Sequence, residues 1–311
     1  MSTGYVYDEL FLEHYAHGHV ESPDRLLAIM KLLEREGILS KMHNIPSQEA
    51  SRDDLLLVHS QEMVERVKLA SEQAPTWLDP DTYVASNSYS VAKCAAGSGI
   101  KLVSEIEAGR INNGIALVRP PGHHATFRQS MGFCLFNNIA IAARYLIKNY
   151  QISKVAIIDW DVHHGNGTQD IFYHDPQVFY MSLHLSPHYP GTGSKNEEGE
   201  GKGKNTTVNF PLSYNCSNNE YMDSFNEGLE KIRAFEPDFI LISVGFDSHV
   251  DDPLGGLPLN EKDFNIMTSK VCQMAKDVGH GKVASFLEGG YNLHTLASSV
   301  SAHLQAFLEF E

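Results

Sequence analysis

The chain has 311 residues, 42% of them apolar and 10% aromatic, and a formal net charge of −15. Such a composition can bury a sizeable core, which excludes disordered, collagen-like and coiled-coil classes. A surface this acidic repels phosphate backbones, so direct nucleic-acid binding is not expected and a cationic ligand or partner fits better.

The stretch Met1–Leu10 carries Asp8 and Glu9 and has no basic segment followed by an apolar one, so no signal peptide is read there. No apolar run approaches the roughly 20 residues needed to span a bilayer. Cys94, Cys134, Cys216 and Cys272 are scattered without a C-x-x-C pair, a usage that suits a reducing cytosol. The expectation is a soluble, cytoplasmic protein with no membrane partner.

In chain order, the first hundred residues read as mainly helical, with Pro23–Glu36 and Arg52–Ala70 the clearest segments. From about residue 110, apolar runs alternate with helical patterns. Strand Ile115–Val118 is followed by helix Leu135–Tyr150, then strands Val155–Ile158, Val178–Leu183 and Thr207–Phe210. Helix Tyr221–Phe235, strand Phe239–Val244, helix Glu261–Val278, strand Val283–Leu287 and helix Leu293–Phe310 complete the series. Strands without polar alternation, separated by helices, predict the α/β class: three layers, α/β/α, around a mainly parallel sheet, in one domain over residues 1–311.

Polar residues cluster where these strands end. Asp159 and Asp161 follow Val155–Ile158, His184 follows Val178–Leu183, Asp247 follows Phe239–Val244, and Glu288–Tyr291 follows Val283–Leu287. Carboxyl ends of parallel strands form the ligand crevice of an open sheet, so separate segments deliver carboxylates, imidazoles and a phenol to one edge.

The densest segment is Asp159-Trp160-Asp161-Val162-His163-His164-Gly165-Asn166-Gly167. Asp161 and His163 are two apart and can share a cation from an extended turn, with Asp247 as third donor. Two carboxylates and one imidazole leave a position for water, the pattern of a catalytic zinc site. The competing structural reading makes the aspartates helix caps and His163 a satisfied core residue. In Arg119-Pro120-Pro121-Gly122-His123-His124-Ala125, two adjacent histidines follow a sharp turn, one a candidate general base and the other its electrostatic partner. Asp159 and Asn166 are candidate partners for the two rings. A carboxylate raises the pKa of its imidazole and an amide does not, so the ring on Asn166 should stay neutral near pH 7 and suit proton transfer. In Glu288-Gly289-Gly290-Tyr291-Asn292, paired glycines permit an unusual turn that aims Tyr291 over the crevice, where a phenol can donate to an oxyanion. Gly132-Phe133-Cys134 and His188-Tyr189-Pro190-Gly191 place aromatics on loops beside the same edge, as a slot for an aliphatic chain or as ordinary packing. Cys134 reads as a small buried hydrophobe.

With these residues in place, the chain resembles the histone deacetylase family of the arginase–deacetylase superfamily. The likeness runs from His19-Val20-Glu21-Ser22-Pro23-Asp24-Arg25-Leu26 to Leu287-Glu288-Gly289-Gly290-Tyr291-Asn292-Leu293. R-P-P-G-H-H-A, G-F-C, D-W-D-V-H-H-G-N-G-T-Q, S-L-H, P-G-T-G, G-F-D and L-E-G-G-Y-N-L occur in the family's order, with wording like that of class II members and bacterial relatives. The resemblance implies the arginase–deacetylase fold and a zinc-dependent amidohydrolase acting on acetyl-lysine in proteins or peptides, histones included. Asp161, His163 and Asp247 match the ligands of one zinc ion, His123 and His124 the tandem histidines with His124 as base and acid, and Tyr291 the group that polarises the acetyl carbonyl. Phe133 and Tyr189 match the acyl-lysine tunnel walls, flanked by Gly132 and Gly289, with Leu254 at the rim. Asp159, the backbone carbonyls of Asp161 and His163, and the Ser182 side chain match a structural potassium site, and Arg25 a channel residue behind the metal.

Three positions depart from common family wording: His19-Val20 stands for His-Pro, Tyr189 for a phenylalanine, and Asn166 for the aspartate of class I members. Acetylpolyamine hydrolysis is the alternative, disfavoured by the apolar Leu254 where a carboxylate could hold an ammonium. Arginase-like chemistry needs a second metal-binding carboxylate, which Asp247-Ser248-His249 lacks. A non-catalytic acyl-lysine scaffold is disfavoured because every ligand position and the tyrosine are filled.

Overall fold

The computed structural model describes residues 2–310. Its strands are β1 (Thr3–Val6), β2 (His43–Ile45), β3 (Thr76–Trp77), β4 (Tyr83–Val84), β5 (Asn113–Ala116), β6 (Val155–Asp159), β7 (Val178–Leu185), β8 (Thr207–Leu212), β9 (Phe239–Val244) and β10 (Val283–Leu287). Eight of them form one sheet in the order β2-β1-β5-β10-β9-β6-β7-β8, and every pairing in it is parallel. β3 and β4 form a separate antiparallel hairpin.

The helices are α1 (Asp24–Arg35), α2 (Arg52–Leu55), α3 (Gln61–Glu72), α4 (Ser88–Glu107), α5 (Asn138–Asn149), α6 (Asn166–Phe172), α7 (Asn218–Phe235), α8 (Glu261–Asp277) and α9 (Leu293–Glu309). α1, α9, α8 and α7 pack in series as one layer, and α3, α4 and α5 form the other. Covering both faces explains why β6, β9 and β10 are buried at every residue and read as continuous apolar runs. Each fully buried Leu, Ile or Phe of these strands contributes about 1.5–3 kcal/mol. His303 of α9 is a satisfied core histidine, between Thr268 Oγ1 (2.6 Å) and Ser285 Oγ (2.9 Å). Among the described residues, no helix is long and apolar enough to cross a membrane.

The N-terminal third is mainly helical as expected, with α1 on the expected Pro23–Glu36 segment, but it differs in two details. β1 and β2 join the main sheet, although Gly4, His43 and Asn44 give them no apolar run. Pairing of β1 with β5, and of β2 with β1, supplies what local propensity does not. The expected helix over Arg52–Ala70 is two helices. Ser51 caps α2 with a capping box, and Ser60 caps α3 through Met63 N–H. Between them the Ser60 N–H reaches Phe127 O, and the His59 ring lies between Thr126 O and Asn137 N–H. These long-range bonds outweigh helix continuity.

Candidate active site

β10, β9 and β6 are neighbours at the middle of the sheet. Their carboxyl ends deliver Glu288–Tyr291, Asp247 and Asp159–His163 to one place, and the segment after β5 adds Arg119–His124. Asp161 Oδ2 accepts the Gly289 N–H at 2.8 Å, and Asp247 Oδ1 accepts the Val162 N–H at 2.9 Å. His163 Nδ1 lies 3.0 Å from Asp161 Oδ1 and 3.3 Å from Asp247 Oδ2.

Asp161, His163 and Asp247 each offer a donor atom within 4.8 Å of the others, the one cluster of this kind among the described residues. Asp247 Oδ2 is buried and accepts no well-formed hydrogen bond, the His163 ring at 3.3 Å being poorly aligned with it. Burial and the adjacent Asp161 carboxylate push the Asp247 carboxyl above its ordinary value. Two crowded carboxylates with an unpaired oxygen and one imidazole nitrogen are a donor set that fits a divalent cation. Gly289 permits the crowding: a Cβ there would stand 2.0 Å from Asp247 Oδ2 and 2.6 Å from Asp161 Oδ2.

The adjacent histidines have different partners. His123 Nδ1 lies 3.1 Å from Asp159 Oδ2, whereas His124 Nδ1 lies 2.7 Å from Asn166 Oδ1. Burial alone lowers the His123 pKa, but Asp159, Asp161 and Glu288 outweigh it and hold the ring well above its ordinary value. His124 is held well below, by burial and by its neighbours His123 and His163, which disfavour a further positive charge. The Asn166 amide is oriented by its own Nδ2, which donates to Met131 Sδ at 3.4 Å. Its Oδ1 therefore faces His124, so the Nδ1 of His124 carries the proton and Nε2 is left as acceptor.

A cavity of about 370 Å³ opens onto this edge. His123, His124, His163, Gly132, Phe133, Tyr189, Leu254, Gly289 and Tyr291 line it, while Asp159, Asp161, Asn166 and Asp247 lie behind that lining. Phe133 stands edge-on to Tyr291 (5.9 Å between centroids), and Tyr189 edge-on to His124 (5.1 Å). Arg25 lies 5.0 Å from the centre of the Tyr291 ring. Burial keeps the Tyr291 phenol well above its ordinary pKa, with Arg25 pulling the other way. A separate groove of about 490 Å³ beside β8 and α7 contains none of these residues.

His184, grouped with the crevice residues on sequence, does not line the cavity: it lies within β7, bonded to Ser182 Oγ (2.9 Å) and Gly193 O (3.0 Å). β7 runs on through Leu185, so His184 belongs to the strand and both its ring nitrogens are taken up by these partners. The structure adds Asp81 and Tyr214 to the lining, together with His188 of the expected His188–Gly191 loop. His188 stacks on His163 with centroids 5.0 Å apart, and its Nε2 lies 3.1 Å from Leu254 O. Glu288, fully buried, accepts the Gly122 N–H (2.7 Å), the His123 N–H (3.2 Å) and the Ser243 hydroxyl (3.0 Å). Burial pushes its carboxyl up to about 7 against the pull of His123. A carboxylate directly after an apolar strand was its visible signal.

A family model for the histone deacetylase domain matches residues 19–307. The chain is 39% identical to "Histone deacetylase 10, chloroplastic" of Oryza sativa subsp. japonica, over 95% of this chain and 71% of that protein. It is 40% identical to "Histone deacetylase 15" of Arabidopsis thaliana, over 99% of this chain and 57% of that one. It is also 40% identical to "Histone deacetylase 4" of Caenorhabditis briggsae, where it spans 38% of the relative's length. The solved structure titled "Crystal Structure of HDA15 HD domain" superposes with a TM-score of 0.92 at 39% identity, covering 99% of this chain and 89% of that one. By sequence, fold and extent of match, the chain belongs to the histone deacetylase family of hydrolases.

Proposed function

We propose that this chain is a zinc-dependent deacetylase hydrolysing the amide of N-acetyl-lysine in proteins or peptides, histones among them. The reading is carried by one observation: a three-donor cation site, a low-pKa imidazole and a phenol converge on one cavity of about 370 Å³. Asp161, His163 and Asp247 would hold the zinc ion, which when bound supplies Lewis acidity and lowers the pKa of water. His124, with its Nδ1–H donating to Asn166 Oδ1, has Nε2 free to take a proton from the attacking water and return it to the leaving amine. Tyr291 keeps its proton at neutral pH and donates a hydrogen bond to the acyl oxygen as negative charge develops there. His123, held cationic by its carboxylates, adds a fixed positive charge beside that oxygen.

Phe133 and Tyr189 flank the aliphatic chain of the substrate, with Leu254 at the rim. Asp159 and Ser182 face each other in register across β6 and β7, which supports a structural potassium ion held by these side chains with the carbonyls of Asp161 and His163.

The test compares wild type with Tyr291→Phe on an acetyl-lysine peptide, acetylputrescine and acetylspermidine. The peptide should be the better substrate, and losing the phenol hydroxyl should lower kcat by about 10²–10³. Preference for the polyamines would shift the substrate class, and near-normal turnover by the variant would refute the role of Tyr291.

A further inference from the structure

Gly289 and Gly290 precede Tyr291, and Gly290 adopts φ 124°, so neither residue offers a side chain of its own to anchor the turn. It is gripped by opposite charges from two sides. Buried Arg25 donates from Nε to Gly290 O (2.6 Å) and from Nη2 to Glu288 O (2.5 Å). Asp252, only 8% exposed, does the converse: its Oδ2 accepts the Tyr291 N–H at 2.6 Å and the Asn292 N–H at 3.2 Å. Its Oδ1 accepts the Leu254 N–H at 2.9 Å.

Asp252 is itself anchored. Its N–H bonds His249 O (3.0 Å), and the loop around it is pinned by Val250 N–H to Leu259 O (2.8 Å). The Leu254 carbonyl is in turn held by His188, which stacks on the His163 ring. One carboxylate thus ties the backbone of the phenol donor to the rim of the cavity. Hydrogen bonds from N–H groups to a carboxylate are roughly twice as strong as neutral ones, which suits a task that glycine-rich backbone cannot perform.

We propose that Asp252 is a positioning residue for Tyr291: it fixes the backbone from which the phenol reaches the reacting oxygen, and couples it to the Leu254 rim. The proposal rests on the role given to Tyr291 above. Misplacing a reacting group by about 1 Å can cost on the order of 10² in rate. Asparagine at 252 retains one acceptor oxygen but faces an N–H with an NH₂, so it should release one side of the clamp.

The experiment measures kcat and KM on an acetyl-lysine peptide for the metal-loaded wild type, Asp252→Asn, Tyr291→Phe and the double variant. Asp252→Asn should lower kcat by about 10–100-fold with KM changed less than about 3-fold; added to Tyr291→Phe it should cost less than about 3-fold, because the group being positioned is gone. Equal losses in both backgrounds, or an undiminished kcat in Asp252→Asn while Tyr291→Phe is impaired, would overturn the proposal and leave the Tyr291 reading standing. Near-normal turnover by Tyr291→Phe would overturn both. Should Asp252→Asn not fold, amide hydrogen exchange of the unaltered protein decides: the Tyr291 N–H should exchange at least about 10²-fold slower than an open loop amide. Exchange at the open-loop rate would overturn the clamp.

Discussion

Behind the cavity lining, Asp159, Asp161 and Asp247 are buried at the ends of central strands, whereas at its mouth Tyr189 and Tyr214 stand on loops, 37% and 54% exposed. The deep carboxylates take backbone N–H groups from other segments: Asp161 from Gly289, Asp247 from Val162. Their positions are therefore fixed several times over, in surroundings where charge interactions are screened little. The rim side chains have fewer partners and meet solvent. On the proposed function, the deep region would set the chemistry, while the mouth would adjust which acyl chains and flanking residues are accepted.

Substitutions in the deep region should have the largest effects. Asp247→Ala removes one of three donors, so turnover should fall to that of chelator-treated protein and metal content well below that of wild type, checked by metal analysis and peptide turnover together. Tyr291→Phe comes next, at the magnitude given above.

Asn166→Asp should act through pH. The amide leaves His124 with a low pKa, and a carboxylate in its place favours the imidazolium. Since His124 must be neutral to accept a proton, the acid limb of kcat/KM should move to higher pH and activity at pH 7 fall by about 10–100-fold. An unmoved acid limb would remove His124 from the base role. At the mouth, Tyr189→Phe should change kcat/KM for an acetyl-lysine peptide by less than about 3-fold, altering mainly the ratio of acetyl to longer acyl chains, with the pH profile unmoved. A rim variant as damaging as Tyr291→Phe would erase the distinction between the two regions.

The deep region was the more legible from sequence for a physical reason. Val155–Ile158, Phe239–Val244 and Val283–Leu287 are apolar enough to be read as buried strands, so the polar residues that follow them fall at one edge whatever the details of packing. The spacing of Asp161 and His163 is local, and local geometry survives folding. β1 and β2 were not legible, because their three or four residues become strands only by pairing with neighbours far along the chain. Glu21 was equally hidden: it is fully buried beside Arg119 and Arg25, and only the fold brings residues 21 and 119 together. Likewise nothing near Asp252 reveals that its carboxylate meets Tyr291, 39 residues away.

The central claim, that three side chains from two strand ends hold the ion on which hydrolysis depends, is tested most directly by metal content and turnover on one preparation. About one zinc ion per chain is expected, with hydrolysis of an acetyl-lysine peptide lost when the ion is stripped and restored when it is returned. Full hydrolysis by the stripped protein would contradict the account.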